Sequence, residues 1–164
     1  MIRKATISLL AVCLTSIAYW FWQSNQIKLA PEINLTTITG KNIQLAQLKG
    51  RPVIINFWAT DCKSCIEEIP HLIELYKQYH PKGLEIVAIT MYYDPPSHVV
   101  SMTKAKKIPY HVALDLKADH ANAFGQIELT PTTLLISPSG HIVMHTTGKF
   151  DINDMKQQLN KFTG

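Results

Sequence analysis

The run Val53-Ile-Ile-Asn-Phe-Trp58 constrains this chain more than any other stretch. Apart from Asn56 it is continuously apolar, the pattern of a strand covered on both faces, and so it belongs at the centre of a sheet. Four residues after Trp58 the chain reaches Cys62-Lys63-Ser64-Cys65, and from there Ile66, Ile69, Ile73 and Tyr76 recur at helical spacing. That spacing predicts a helix from about Cys62 to Tyr79, ended by Pro81 and Gly83. Pro70 inside it lacks the N–H that would bond the Ile66 carbonyl, so a kink is expected there. The unit is a buried strand, a short turn, and a helix that opens on two cysteines.

Apolar runs and helical patterns alternate around this unit. Ile33 to Ile38 reads as a strand, and Ile43, Leu45 and Leu48 as a short apolar element ended by Gly50. Leu84 to Met91 predicts a second buried strand. Asp94 and Pro95 read as the cap and first residue of a helix to about Lys107, followed by a short strand from His111 to Leu114. Ala118 to Phe124 predicts a helix closed by Gly125. Thr133 to Ser137 and Ile142 to Thr146 form a hairpin around Pro138, Ser139 and Gly140, and Asp151 caps a last helix to about Phe162. In 164 residues this order makes one α/β domain with a mixed sheet flanked by helices.

The N-terminus carries a targeting signal. Arg3 and Lys4 precede an uncharged run from Ala5 to Trp22, 18 residues that would span ~27 Å as a helix. Tyr19, Trp20, Phe21 and Trp22 close it with rings suited to the headgroup level, and the basic end stays cytoplasmic. Residues 1–22 are therefore expected to be a transmembrane anchor or signal segment, contacting the bilayer through residues 5–22. Residues 23–30 follow as a polar tether and 31–164 as the domain. Ser16 and Ala18 form a small-x-small cleavage pattern, which makes a removed signal peptide the alternative; either way the domain is exported. The net charge of +4 comes from scattered basic residues, with only Lys104, Lys106 and Lys107 clustered, so no nucleic-acid partner is expected.

Of the three cysteines, Cys13 lies in the apolar N-terminal run, which leaves Cys62 and Cys65 as the chemically special pair. A helix N-terminus offers unpaired N–H groups and partial positive charge, and both favour a thiolate at Cys62. Cys65, one turn deeper on the same side, can resolve a mixed disulfide formed at Cys62. A structural zinc site needs further ligands, and the seven histidines are scattered, so no metal and no other cofactor is expected. Glu68, one turn beyond Cys65, could exchange a proton with it if partly buried. Thr130-Pro131 stands at the threshold of an apolar strand, where a proline would deprive the ladder of a donor and a special backbone state is expected. Asp61 opposes a thiolate at Cys62, and Lys63 offsets it.

These residues resemble the TlpA-like thioredoxin-fold thiol-disulfide oxidoreductases, a family anchored on the extracytoplasmic side of bacterial membranes. The likeness runs through Ala30-Pro31, "LKGRPVIINFWATDCKSCIEEIP" from Leu48 to Pro70, "AFGQIELTPTTLLISPSGHIV" from Ala123 to Val143, and Gly148. It implies a thioredoxin-like sheet with an inserted helix-strand unit, matched by Pro96 to Leu114. By the same likeness Cys62 is the attacking thiol, Cys65 the resolving thiol and Glu68 the acid beside them. Pro131 is then a cis-proline lining the substrate groove with Trp58 and Thr130. The family commonly has tryptophan where Asp61 stands and proline where Ser64 stands.

The resemblance implies an exported reductase that takes electrons from a membrane thiol-disulfide carrier and passes them to oxidised client proteins, with cytochrome c maturation a frequent task. Two alternatives share the fold. A Sco-like copper-delivery protein uses a C-x-x-x-C pair with a distant histidine, whereas only two residues intervene here. A peroxiredoxin-like peroxidase expects threonine three residues before its cysteine, and Ala59 stands there.

Overall fold

The computed structural model describes Thr15 and residues 28–163. Apart from Thr15, the expected anchor and residues 23–27 of the tether lie outside the described residues. Among those described, no helix is long and apolar enough to cross a membrane.

A small antiparallel pair, β1 (Asn34–Thr36) and β2 (Asn42–Gln44), opens the domain and passes through a 3-10 turn over Leu45–Leu48. Then follow β3 (Val53–Trp58), α1 (Lys63–Tyr79), β4 (Glu85–Thr90), α2 (Pro96–Ala105) and β5 (His111–Leu114). The chain ends with α3 (Asp119–Ala123), β6 (Thr132–Ile136), β7 (Ile142–Thr147) and α4 (Ile152–Thr163). The main sheet has the order β5-β4-β3-β6-β7, with β3 parallel to β4 and antiparallel to β6. The strand expected at the centre is at the centre, and α2 with β5 forms the inserted helix-strand unit of a thioredoxin-like sheet.

The two-residue period of β3 divides its side chains between two apolar layers. Ile54 and Trp58 face Ile69, Leu72 and Leu75 of α1 and Met155 and Leu159 of α4. Val53, Ile55 and Phe57 face the β1–β2 pair and Phe124. All six strand residues are buried, so each apolar one contributes on the order of 1.5–3 kcal/mol relative to exposure. Asn56 points to the α1 side, the only polar side chain β3 sends there.

Two local expectations are corrected. The buried face of α1 runs through Cys65, Glu68, Ile69, Leu72, Leu75 and Tyr79, while Ile66, Ile73 and Tyr76 are half-buried flanks. The helix is apolar over more than half its circumference, and a cysteine and a carboxylate disguise the true stripe. Helix α2 begins at Pro96 with Pro95 at its N-cap and no side-chain cap. The Asp94 carboxylate is engaged elsewhere, and the helix ends at Ala105, short of the expected Lys107. The later cap behaves as expected: Asp151 Oδ1 accepts the N–H groups of Asn153 and Asp154.

Chain entry is at the end of the sheet where β3 begins. Leu29 bridges His141, the Ala30 N–H donates to the Gly140 carbonyl at 2.9 Å, and the Ile142 N–H donates to the Lys28 carbonyl at 2.8 Å. Pairing therefore starts within the stretch expected to be tether.

Candidate active site

Helix α1 starts where β3 ends, so its N-terminus projects from the carboxyl edge of the central strand. Cys62 is the N-cap residue, in extended conformation, and its sulfur accepts the Cys65 N–H at 3.2 Å. This is the capping geometry usually supplied by a serine or aspartate oxygen, here used to aim a backbone donor at a sulfur. Cys62 and Cys65 are joined as a disulfide across a Cα separation of 5.2 Å. Cys62 is half-buried and Cys65 is 3% exposed, so only the first sulfur can be approached from outside.

The turn before Cys62 is held from below. Asp94, 4% exposed in the loop between β4 and α2, accepts the Thr60 N–H at 2.7 Å and the Thr60 hydroxyl at 2.6 Å. The Met91 N–H donates to the Trp58 carbonyl at 3.1 Å, a second tie between the β3 and β4 edges. A carboxylate 34 positions away thus fixes the loop that presents the nucleophile. The sequence reading missed this residue, because Asp-Pro ahead of a helix is an ordinary cap signal.

Glu68 is 1% exposed and sits one turn behind Cys65 on the same face of α1. Its Oε1 accepts the Phe150 N–H at 3.0 Å and its Oε2 accepts the Asn56 side-chain amide at 3.2 Å. The same amide nitrogen also donates to Thr133 Oγ1 at 2.9 Å. Burial outweighs these donors and pushes the Glu68 carboxyl up from 4.5 to about 7. Asn56 and Thr133 are further site residues that sequence reasoning left unassigned; the lone polar residue in the β3 run was the available signal.

The Thr130-Pro131 peptide is cis, in keeping with the special backbone state expected of it. Continuing the β3–β6 register by one step from Phe57–Thr132 puts Pro131 opposite Trp58, at the edge from which the Cys62 loop departs. Pro131 is buried and its carbonyl accepts the Gly148 N–H at 2.8 Å, while Thr130 is half-buried. Trp58, expected to line the groove, is 2% exposed and packs in the core with Cys65, so it presents no surface to a bound chain. Its place on the inner face of β3 is the reason. Asp61 and Lys63 both flank Cys62 as exposed side chains.

Ser64 adds a contact that sequence reasoning passed over: its Oγ lies 3.4 Å from Cys62 Sγ. Around the same end of the sheet stand large apolar side chains open to solvent: Tyr92 at 57%, Tyr93 at 48% and Leu129 at 66% exposure.

Comparison with known proteins agrees with this geometry. The Redoxin family profile matches residues 26–159. A thiol-disulfide oxidoreductase ResA of Bacillus thuringiensis subsp. konkukian is 34% identical over 136 residues, covering 83% of this chain and 78% of that protein. ResA of Bacillus subtilis is 35% identical over 131 residues, covering 80% and 72%. Among solved structures, a thioredoxin-family thiol:disulfide interchange protein from Chlorobium tepidum superposes with a TM-score of 0.76 at 28% identity, covering 85% of this chain and 98% of that one.

Proposed function

The chain belongs to the Redoxin family and is a thiol-disulfide oxidoreductase, and from that premise we propose that it reduces disulfides in extracytoplasmic client proteins. The observation that carries this reading is the asymmetry of the pair: a reachable Cys62 bonded to a buried Cys65, with a protonatable Glu68 one turn behind.

The roles follow from that arrangement. The Cys62 thiolate attacks one sulfur of the client disulfide; that S–S bond breaks, and the other client sulfur leaves as a thiolate with the electron pair. Cys65 gives its proton to the Glu68 carboxylate and attacks Cys62 Sγ. The second client thiolate departs, and the Cys62–Cys65 disulfide remains. Two electrons have passed to the client, and a dithiol donor restores the pair by the reverse exchange. With its carboxyl near 7, Glu68 is divided between acid and base at neutral pH, the condition for serving both directions. Pro131 and Thr130 border the approach to Cys62, and Tyr92, Tyr93 and Leu129 offer a client polypeptide apolar surface.

The proposed setting is a single-pass anchor over residues 1–22, a tether, and a domain outside the cytoplasmic membrane of a bacterium. The donor would be a membrane thiol-disulfide carrier. The named ResA relatives, all oxidoreductases, support the class of chemistry. For cytochrome c maturation the client would be an oxidised Cys-x-x-Cys-His segment, the haem-attachment spacing. Mixing the reduced protein with such a peptide and with an unrelated disulfide peptide tests the assignment. Selective reduction of the haem-attachment peptide supports it, equal reduction leaves a general reductase, and no reduction of either sinks the reading.

A further inference from the structure

The Ser64 hydroxyl reaches the reacting sulfur. In the disulfide, Cys62 carries no hydrogen, so across the 3.4 Å separation Ser64 Oγ is the donor and Cys62 Sγ the acceptor. The Cys65 N–H, at 3.2 Å, is a second donor to the same atom. Both come from the opening of α1, so both donors stand beside the sulfur before any client arrives.

A donor facing a disulfide sulfur makes a weak bond, because that sulfur is neutral. When a dithiol donor supplies two electrons and the S–S bond opens, Cys65 takes up a proton and Cys62 reacts in its thiolate form. The same hydroxyl then faces a full negative charge, and its hydrogen bond becomes charge-assisted and stronger. An interaction that strengthens on reduction favours the reduced form. We infer that Ser64 is a catalytic residue that stabilises the Cys62 thiolate through its hydroxyl, opposing Asp61 and making the dithiol more oxidising than a residue without a side-chain donor would. The inference rests on Cys62 as the nucleophile. Proline at this position would supply no hydroxyl, so the donor belongs to this chain's own variation between the cysteines.

Ser64 is half-buried on the first turn of a helix, where alanine is well tolerated, so Ser64→Ala should fold. The test is the rate of iodoacetamide alkylation against pH for the reduced wild type, Ser64→Ala and Ser64→Thr, with the labelled cysteine identified by peptide mass. A hydrogen bond to a charged sulfur predicts that Ser64→Ala raises the Cys62 pKa, read as the midpoint of the alkylation profile, by about one unit, a tenfold change in the proton equilibrium. Equilibration with glutathione should show a fall in reduction potential of about 30 mV, the tenfold change converted for a two-electron couple. Ser64→Thr, which keeps the hydroxyl, should restore wild-type values. A pKa in Ser64→Ala that is unchanged or lowered, or a Ser64→Thr protein that behaves like Ser64→Ala, overturns the inference. Label on Cys65 in the wild type overturns instead the nucleophile assignment beneath it.

Discussion

Asp94 takes both hydrogen-bond donors of Thr60, the backbone N–H at 2.7 Å and the hydroxyl at 2.6 Å, and thereby ties the β4 edge to the turn that carries Cys62. Replacing it by alanine leaves a Thr60 N–H without its acceptor in a part-buried place, a loss of about 1–3 kcal/mol. Asp94→Ala should lower the urea midpoint accordingly and slow client reduction beyond what lost stability explains at low temperature. Thr60→Val, which removes only the hydroxyl and keeps the backbone bond, should cost less in both. A variant pair indistinguishable from wild type in reduction rate would make the tie purely architectural.

The difference in exposure between the two sulfurs predicts a trapping asymmetry. Cys65→Ser should accumulate mixed disulfides through Cys62, because the resolving sulfur is gone while the reachable one remains. Cys62→Ser should accumulate few, since Cys65 is 3% exposed. Non-reducing gels with mass identification of the linked peptide decide the matter, and adducts on Cys65 would reverse the roles.

For Glu68 the linkage has a definite sign. A carboxyl raised from 4.5 to about 7 on folding binds its proton more tightly in the native state, so stability is undiminished below pH 4.5 and falls as pH rises towards 7. The full loss is about 3 kcal/mol, an upper figure that relaxation around the site reduces. Glu68→Gln should flatten that slope and be the more stable protein at pH 8, as read from denaturation midpoints between pH 4 and 8. The same substitution should slow release of a mixed disulfide more than its formation, because only release deprotonates Cys65. Stopped-flow rates for the two steps would show equal effects if Glu68 takes no part in proton transfer.

Asp61 acts in the opposite sense to Ser64. At ~6 Å in a solvent-exposed setting its charge opposes the Cys62 thiolate by about 0.7 kcal/mol, or half a pKa unit. Asp61→Asn should lower the Cys62 pKa by that amount and raise the reduction potential, with both changes shrinking in high salt. Alkylation profiles at low and high ionic strength check it; a pKa that rises or does not move would mean that the carboxylate faces away.

The central strand, the inserted unit, the cysteine pair and the last helix were legible because each rests on a local pattern: an apolar run, a turn signal, a cap. Glu68 was legible as a neighbour of Cys65 by helical spacing. Its carboxyl near 7 was not, since that comes from burial by tertiary packing, which outweighs the Asn56 amide and the Phe150 N–H arriving across 82 positions. Asp94 was misread for the same reason, its carboxylate being drawn away from its own helix by a tertiary partner. Trp58 was assigned to the substrate groove, yet it ends an apolar run covered on both faces, and that burial is the physical constraint.

Lys28 and Leu29 join the sheet at the end where β3 begins, and the sulfurs stand where it finishes, six strand residues or about 20 Å away. If residues 5–22 cross a bilayer as proposed, the domain hangs from its far pole with its reactive end outermost. Five residues, 23–27, reach at most about 18 Å when fully drawn out. Soluble clients would meet the sulfurs directly, whereas a carrier embedded in the lipid would be met only when the whole domain tips over on a lead shorter than itself. Recharging, not delivery, would then be the sterically hindered half of the cycle, and lengthening that lead would speed one half-reaction and leave the other alone.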